Sequence, residues 1–262
     1  MSSCHTPGGR FAMRLDEIHT LWRRELKKAF ADKATLLVSA VWPLLLIFLL
    51  GIGFDSFVEL KGIGISYTEF MGPGIIALMA MGGAVYVGNE MIKDKEGFIK
   101  ELLVAPISRV SIFVGKILGT MTLSFSVMTI VVVAFLEAIG RLSVASILWA
   151  LLFMFLIAFI FYSLSMALAF PFKRSSTYQQ IASIIWFAVS FLSGAFFPIK
   201  SLPIWMKAVA YANPLTYGID GLRGQMVGEA AFPVATNLLV LVAFAVFSTI
   251  LGAALYRKSI SA

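Results

Sequence analysis

Apolar residues gather into six long runs separated by short polar stretches: about 34–54, 70–89, 112–139, 145–170, 179–197 and 236–256. A helix rises ~1.5 Å per residue, so about 20 apolar residues cross the ~30 Å hydrocarbon layer of a bilayer. The pattern predicts an all-α integral membrane protein with six transmembrane helices. Pro43 and Pro73 fall within the first two runs, where kinks are expected and neighbouring helices can satisfy the freed carbonyls.

Three stretches depart from the spanning pattern. Before the first run, Phe11, Leu15, Ile18, Trp22, Leu26 and Ala29 recur every three or four positions, with Arg14, Arg23, Arg24, Lys27 and Lys28 mostly off that stripe. This spacing predicts a helix lying in the membrane interface. The apolar core and small-residue cleavage site of a secretory signal are missing from it.

The second stretch, EGFIKELLVAPISR, lies between the second and third runs. Phe98, Ile99, Leu102 and Leu103 share one helical face, with Lys95, Glu96, Lys100 and Glu101 around them, and Gly97 sits at its start. Pro106 ends the pattern because it disfavours helical backbone at the preceding residue, and Ser108 can cap the next helix. Such a short amphipathic helix either docks on a partner or floats on the inner leaflet.

The third stretch runs from Phe197 to Gly228, too long for a tight connection and too apolar for a solvated one. Ile204, Trp205, Ala208, Val209 and Ala212 form one helical face, Asn213-Pro214 breaks it, and Leu215–Val227 can form a second short helix. The two helices either dip back into the outer leaflet or lie flat at the interface with Trp205, Tyr211 and Tyr217 as belt residues.

Composition agrees with a membrane chain: 60% of residues are hydrophobic and 13% charged, and the mean hydropathy is +0.92. One cysteine and two histidines are too few for a disulfide framework or a common metal site. The net charge of +7 does not call for nucleic acid, because on a membrane chain Lys and Arg mark the cytoplasmic side. With the N-terminus inside, the inner segments carry Arg10, Lys33, Lys93, Lys95, Lys100, Arg109, Lys116, Lys173, Arg174, Arg257 and Lys258. The outer segments carry only Lys61, Arg141, Lys200, Lys207 and Arg223. Both termini are therefore expected in the cytoplasm.

Energy-converting chemistry is not legible in the chain. Around Gly115-Lys116, the nearest approach to a P-loop, Val110 stands in place of the first glycine and Ile117 in place of the magnesium-holding Ser or Thr. Ion coupling needs ionisable residues deep in the spans, yet Glu90, Lys116 and Glu137 sit near span ends, where snorkelling or an interfacial ion pair accounts for them. An intramembrane hydrolase needs a serine or aspartate with a histidine, or a metal cluster, and both histidines precede the first run. No enzyme is expected, and no cofactor on this chain.

Two segments resemble a known family. GFIKELLVAPISRVSIFVGKILG, Gly97–Gly119, is similar to the cytoplasmic connector of ABC-2 permeases, which carries a Glu-Leu-Leu-Val-x-Pro-x-x-Arg run. FLSGAFFPIKSLPIWMKAVAYANPLTYGIDGLRG, Phe191–Gly224, resembles that family's segment between the last two spans. The resemblance implies the permease subunit of a prokaryotic ATP-binding-cassette exporter in the cell membrane. It implies a partner pair of cytoplasmic ATPases, which would hold ATP and magnesium, and a second permease copy, identical or paralogous, beside the membrane lipids.

It further implies that Lys95–Leu103, with Pro106 and Arg109, is a coupling helix against the ATPase, and that Leu15, Ile18, Trp22 and Leu26 lie on a connecting helix. Pro198, Pro203, Trp205, Asn213, Pro214, Asp220 and Arg223 would belong to re-entrant outer helices. The expected organisation is an N-terminal cytoplasmic segment, 1–33, a six-span domain, 34–258, and a tail, 259–262. Trp186, Phe187 and Phe191 on the fifth span are candidates for the path of a drug, lipid or lipid-linked saccharide. Gly82-Gly83 and the pairs Gly115/Gly119 and Gly224/Gly228 are expected packing sites. The competing function is a membrane anchor or assembly factor that recruits a cytoplasmic protein and moves nothing.

Overall fold

A computed structural model describes residues 16, 19–20, 22–24, 27, 33–55, 64–93 and 109–260. Among them the chain is entirely helical, without strands. The long helices are α1 (Lys33–Asp55), α2 (Tyr67–Gly82), α3 (Ala84–Lys93), α4 (Arg109–Ala138), α5 (Val144–Ala169) and α6 (Ser175–Phe191). A 3₁₀ turn, Ile199–Ser201, then leads to α7 (Ile204–Ala212), α8 (Pro214–Met226) and α9 (Val234–Ile260).

Among the described residues, four helical stretches are long and apolar enough to cross a membrane: Leu37–Phe54, Tyr67–Ile92, Val144–Ala169 and Val234–Gly252. The second of these is α2 and α3 together, parted by a turn at Gly83. Helices α1 and α2 run through Pro43 and Pro73 without interruption, so the gap in the second run falls at a glycine and not at its proline.

Helix α5 is the centre of the bundle and packs against α2, α3, α4, α8 and α9. It is apolar nearly all round, and Phe153, Ile157, Phe161 and Tyr162 are fully buried along it. Its start is fixed by Ser143, whose hydroxyl accepts the Ser146 amide at 3.0 Å. Helix α1 has a different environment: Leu37, Val38, Trp42, Leu45, Leu49 and Ile52 are exposed, as are Leu239, Val246, Phe247 and Ile250 on α9. Apolar surface on this scale needs lipid or a partner against it.

Between helices in lipid, close approach does what water-driven burial does in a soluble core. Gly221 of α8 stands against the Phe153 ring of α5, and Gly88 of α3 stands against the Tyr178 hydroxyl of α6 and the Ser165 carbonyl of α5. At Gly221 a methyl group would collide with the Phe153 ring, which is itself fully buried. We expect Gly221→Ala to destabilise the protein by about 1–3 kcal/mol, read as a lowered unfolding midpoint in detergent. Gly53→Ala, where the added methyl meets nothing within 4 Å, should leave the midpoint unchanged or slightly raised.

Candidate functional site

The polar chemistry that the structure describes concentrates at the end of the bundle where α2, α5 and α9 begin and α6 ends. The segment between α6 and α9 builds most of it. Asn213 separates α7 from α8, caps α8 and ties the turn to α6. Its Oδ1 accepts the Leu215 amide at 3.0 Å, and its Nδ2 donates to the Val189 carbonyl of α6 at 2.8 Å. Pro214 occupies the first helical turn of α8, where its missing N–H costs nothing. The Thr216 hydroxyl donates back to Ala210 at 2.7 Å and the Tyr217 hydroxyl to Tyr211 at 2.9 Å, closing the hairpin.

The two helices have opposite environments. The α7 face named from its spacing is outward, with Ile204 87% and Trp205 62% exposed. Helix α8, the more polar of the two, is buried nearly throughout and packs on α2, α5 and α9. It carries two buried charges. Asp220 accepts the Ala231 amide at 2.7 Å, the Phe232 amide at 3.0 Å and the Asn237 side-chain amide at 2.9 Å. Thus it ties α8 to the start of α9, while the Asn237 amide oxygen keeps no partner.

Arg223, one turn on, donates through Nε to the Phe70 carbonyl at 3.2 Å and through Nη2 to the Gly194 carbonyl at 3.1 Å. Its guanidinium lies 3.8 Å from the centre of the Phe70 ring. Burial pulls it down to about 10, against the opposing pull of Asp220, and it stays protonated at neutral pH. Gly194 holds its carbonyl there with a φ of 77°, a backbone shape that favours glycine.

Further bonds close the same end. Ser66 and Glu69 form a capping box at the start of α2. Glu69 also pairs with Arg141 at 3.4 Å, and Arg141 donates to the Val227 carbonyl at 2.5 Å. The Tyr67 hydroxyl reaches the Phe196 carbonyl at 3.2 Å. Together these bonds join α2, the α4–α5 connection, the end of α6, α8 and the start of α9. Asp220, Arg223 and Asn213, named from sequence, belong to this network. Pro198 and Pro203 precede the 3₁₀ turn and α7 as their caps, and Trp205 lies outside it. Glu69 and Asn237 were not named, and Arg141 was named only as a basic residue between spans, though the Ser66-x-x-Glu69 box was a readable signal.

The aromatic candidates on α6 divide. Trp186 is buried edge-on against Phe161, with ring centres 5.3 Å apart. Phe187 and Phe191 are exposed, 5.1 Å apart, and Phe196 continues the row at 5.2 Å. Tyr178, Ala182 and Trp186 of α6 are buried and Ser175, Val189 and Ser190 partly so, while Gln179, Gln180 and Ser183 face outward.

Toward the other end, Tyr178 meets the Ser165 hydroxyl at 2.5 Å, and Tyr162 meets the Ser124 hydroxyl of α4 at 3.3 Å. Trp22 of the N-terminal stripe donates its indole N–H to Thr122 of α4 at 3.0 Å. Leu15, Ile18 and Leu26 lie outside the described residues, as do Lys95, Glu96, Gly97, Phe98, Ile99, Lys100, Glu101, Leu102, Leu103 and Pro106. Arg109 opens α4. Among the described residues no His, Cys, Asp and Glu group could hold a metal ion.

The apolar exterior and helical bundle define a multi-helix membrane protein, and the comparisons give its class as transport permease. The profile of the family described as ABC-2 type transporter matches residues 16–227. The chain belongs to that family. It is 32% identical to the protein named Putative transport permease ycf38 of Porphyra purpurea, over 80% of this chain and 73% of the relative. It is 31% identical to Nodulation protein J of Rhizobium leguminosarum bv. trifolii, over 91% and 92%. It is 30% identical to the Inner membrane transport permease YadH of Escherichia coli (strain K12), over 70% and 72%.

This network generates a graded expectation. Asp220→Ala removes the acceptor for three donors and should destabilise by about 2–4 kcal/mol. Asp220→Asn keeps one carbonyl oxygen, enough for the Phe232 and Asn237 bonds, and should cost less. Arg223→Lys keeps the charge but cannot span Phe70 and Gly194 with one fork, and should fall between wild type and Asp220→Ala. Unfolding midpoints of the three variants in detergent check the order.

Proposed function

We propose that this permease is the membrane half of an exporter driven by ATP hydrolysed on separate cytoplasmic subunits. Two permease copies and two ATPases form the working unit. The match to the ABC-2 family across residues 16–227 carries the proposal, and the lack of a nucleotide motif in the chain agrees with an external motor.

Six spans follow if α4 and α6 join the four apolar stretches: α1, α2 with α3, α4, α5, α6 and α9. The Lys/Arg distribution then puts both termini in the cytoplasm and the Asp220–Arg223 network outside. The outward apolar face of α7 fits helices that re-enter the outer leaflet. Residues 95–106, with Arg109, serve as the ATPase contact, and the N-terminal stripe carries the connecting helix beside it.

The cargo path runs along the outward face of α6, between the two copies. That face is free of charge: amides and a hydroxyl at Gln179, Gln180 and Ser183, then the aromatic row of Phe187, Phe191 and Phe196. It suits a drug, a lipid or a lipid-linked saccharide. Trp186, turned inward, supports the helix and leaves the path to Phe187 and Phe191.

Two measurements check the proposal. In a Cys4→Ser background, single cysteines at Ser143 and Ser201 should label from outside in intact cells, while Ser175→Cys should not; outside labelling at position 175 would overturn the orientation. Leu102→Ala combined with Leu103→Ala should weaken ATPase binding at least ~10-fold, since a buried anchor is worth roughly 1–3 kcal/mol. Export should be lost while insertion is unchanged, and Lys100→Ala should have a milder effect. Undiminished copurification and export in the double variant would instead leave the segment floating on lipid.

A further inference from the structure

The second apolar stretch is pinned at one end and leads into the proposed motor contact at the other. At its start, the Phe70 carbonyl is held by Arg223, Tyr67 by Phe196 and Glu69 by Arg141. Helix α2 packs on α1, α8, α5 and α4, whereas α3 packs chiefly on α5 and α6. Helix α3 ends at Lys93, immediately before residues 94–108. Between the two halves the helix is interrupted at Gly83, whose amide turns back to the Met81 carbonyl.

The two adjacent glycines there answer to different constraints. Gly83 faces the Tyr162 hydroxyl so closely that a methyl group would collide with it. Gly82 is exposed, has nothing within 4 Å of where a methyl would stand, and does not adopt a positive φ. Neither space nor backbone shape in this conformation requires glycine at 82. Glycine does lower the cost of leaving helical geometry, and in an apolar surrounding an interrupted helix is otherwise expensive.

We propose that Gly82-Gly83 is a hinge in the second span, about which α3 swings while α2 stays fixed to the outer network, and that Tyr162 is the stop that sets its resting angle. Tyr162 is fully buried and bonded to Ser124 of α4. Two residues earlier, on the other side of α4, Thr122 takes the Trp22 indole. The N-terminal segment is thus joined to the stop through one helix. Use of the hinge by ATP rests on the transport reading, whereas the hinge itself is a property of the chain alone.

Spin labels at Tyr86→Cys on α3 and Leu148→Cys on α5, in a Cys4→Ser background diluted with unlabelled chain in lipid nanodiscs, measure the swing. The wild-type distance distribution should be broad. Gly82→Ala should narrow it by about half with an equal or higher unfolding midpoint, and Tyr162→Phe should broaden it further. Equal widths in wild type and Gly82→Ala would overturn the hinge. So would a Gly82→Ala effect confined to the pairing of permease copies, read by cross-linking. If narrowing is found but partner ATPase with a trapped nucleotide does not move the mean distance, the hinge stands and the ATP-driven reading fails.

Discussion

A charged helix enclosed by apolar neighbours must find its hydrogen-bond partners inside the protein, and α8 is that helix here. An unpaired carboxylate or guanidinium in such a place would cost several kcal/mol. Asp220 and Arg223 escape that cost by using backbone: two amides at the approach to α9, and carbonyls at Phe70 and Gly194. Because these partners belong to separate elements, satisfying two charges fixes how α2, the end of α6 and the start of α9 stand to one another. The hairpin turn at Asn213, the positive φ of Gly194 and the small residues that let α8 approach α5 all serve that placement.

The helices were legible because an apolar run about 20 residues long has few other destinies, and because Asn213-Pro214 is a strong boundary. Pairing in space was not legible. Apolar periodicity could not show that α7 lies outside and the more polar α8 inside, since a composition rule sends polar helices to the surface. That rule fails here because each charge on α8 is matched by backbone partners outside its own helix. The interruption at Gly83 was equally hidden: Pro73 was the more conspicuous breaker, but α2 passes through it, and Gly82-Gly83 drew attention only as a packing site.

The site divides in the same way. Asp220 and Arg223 entered through the family resemblance and Asn213 through its break before Pro214, whereas Glu69 was not named and Arg141 counted only toward the charge bias, because a loop arginine between two spans resembles any solvated cation. Trp186, Phe187 and Phe191 were grouped by type. Helical geometry separates them, since Trp186 follows Tyr178 and Ala182 along the buried stripe while the two phenylalanines turn away from it. For residues 95–106 the amphipathic spacing and the family resemblance remain the ground of their assignment.

The length of α6 has a consequence for the lipid around it. Its 17 residues rise ~25 Å, several ångströms less than a typical hydrocarbon layer. Where α6 stops, the chain turns at Ser193–Phe196 and α7 lays its apolar face outward at the same end. On the proposed six-span reading, lipid beside this helix must shorten its acyl chains or yield the missing depth to α7. Such mismatch costs fractions of a kcal/mol per ångström. That reading implies a locally thinned bilayer alongside the row of Phe187 and Phe191, and the protein should then sort toward membranes whose thickness makes that dimple shallow.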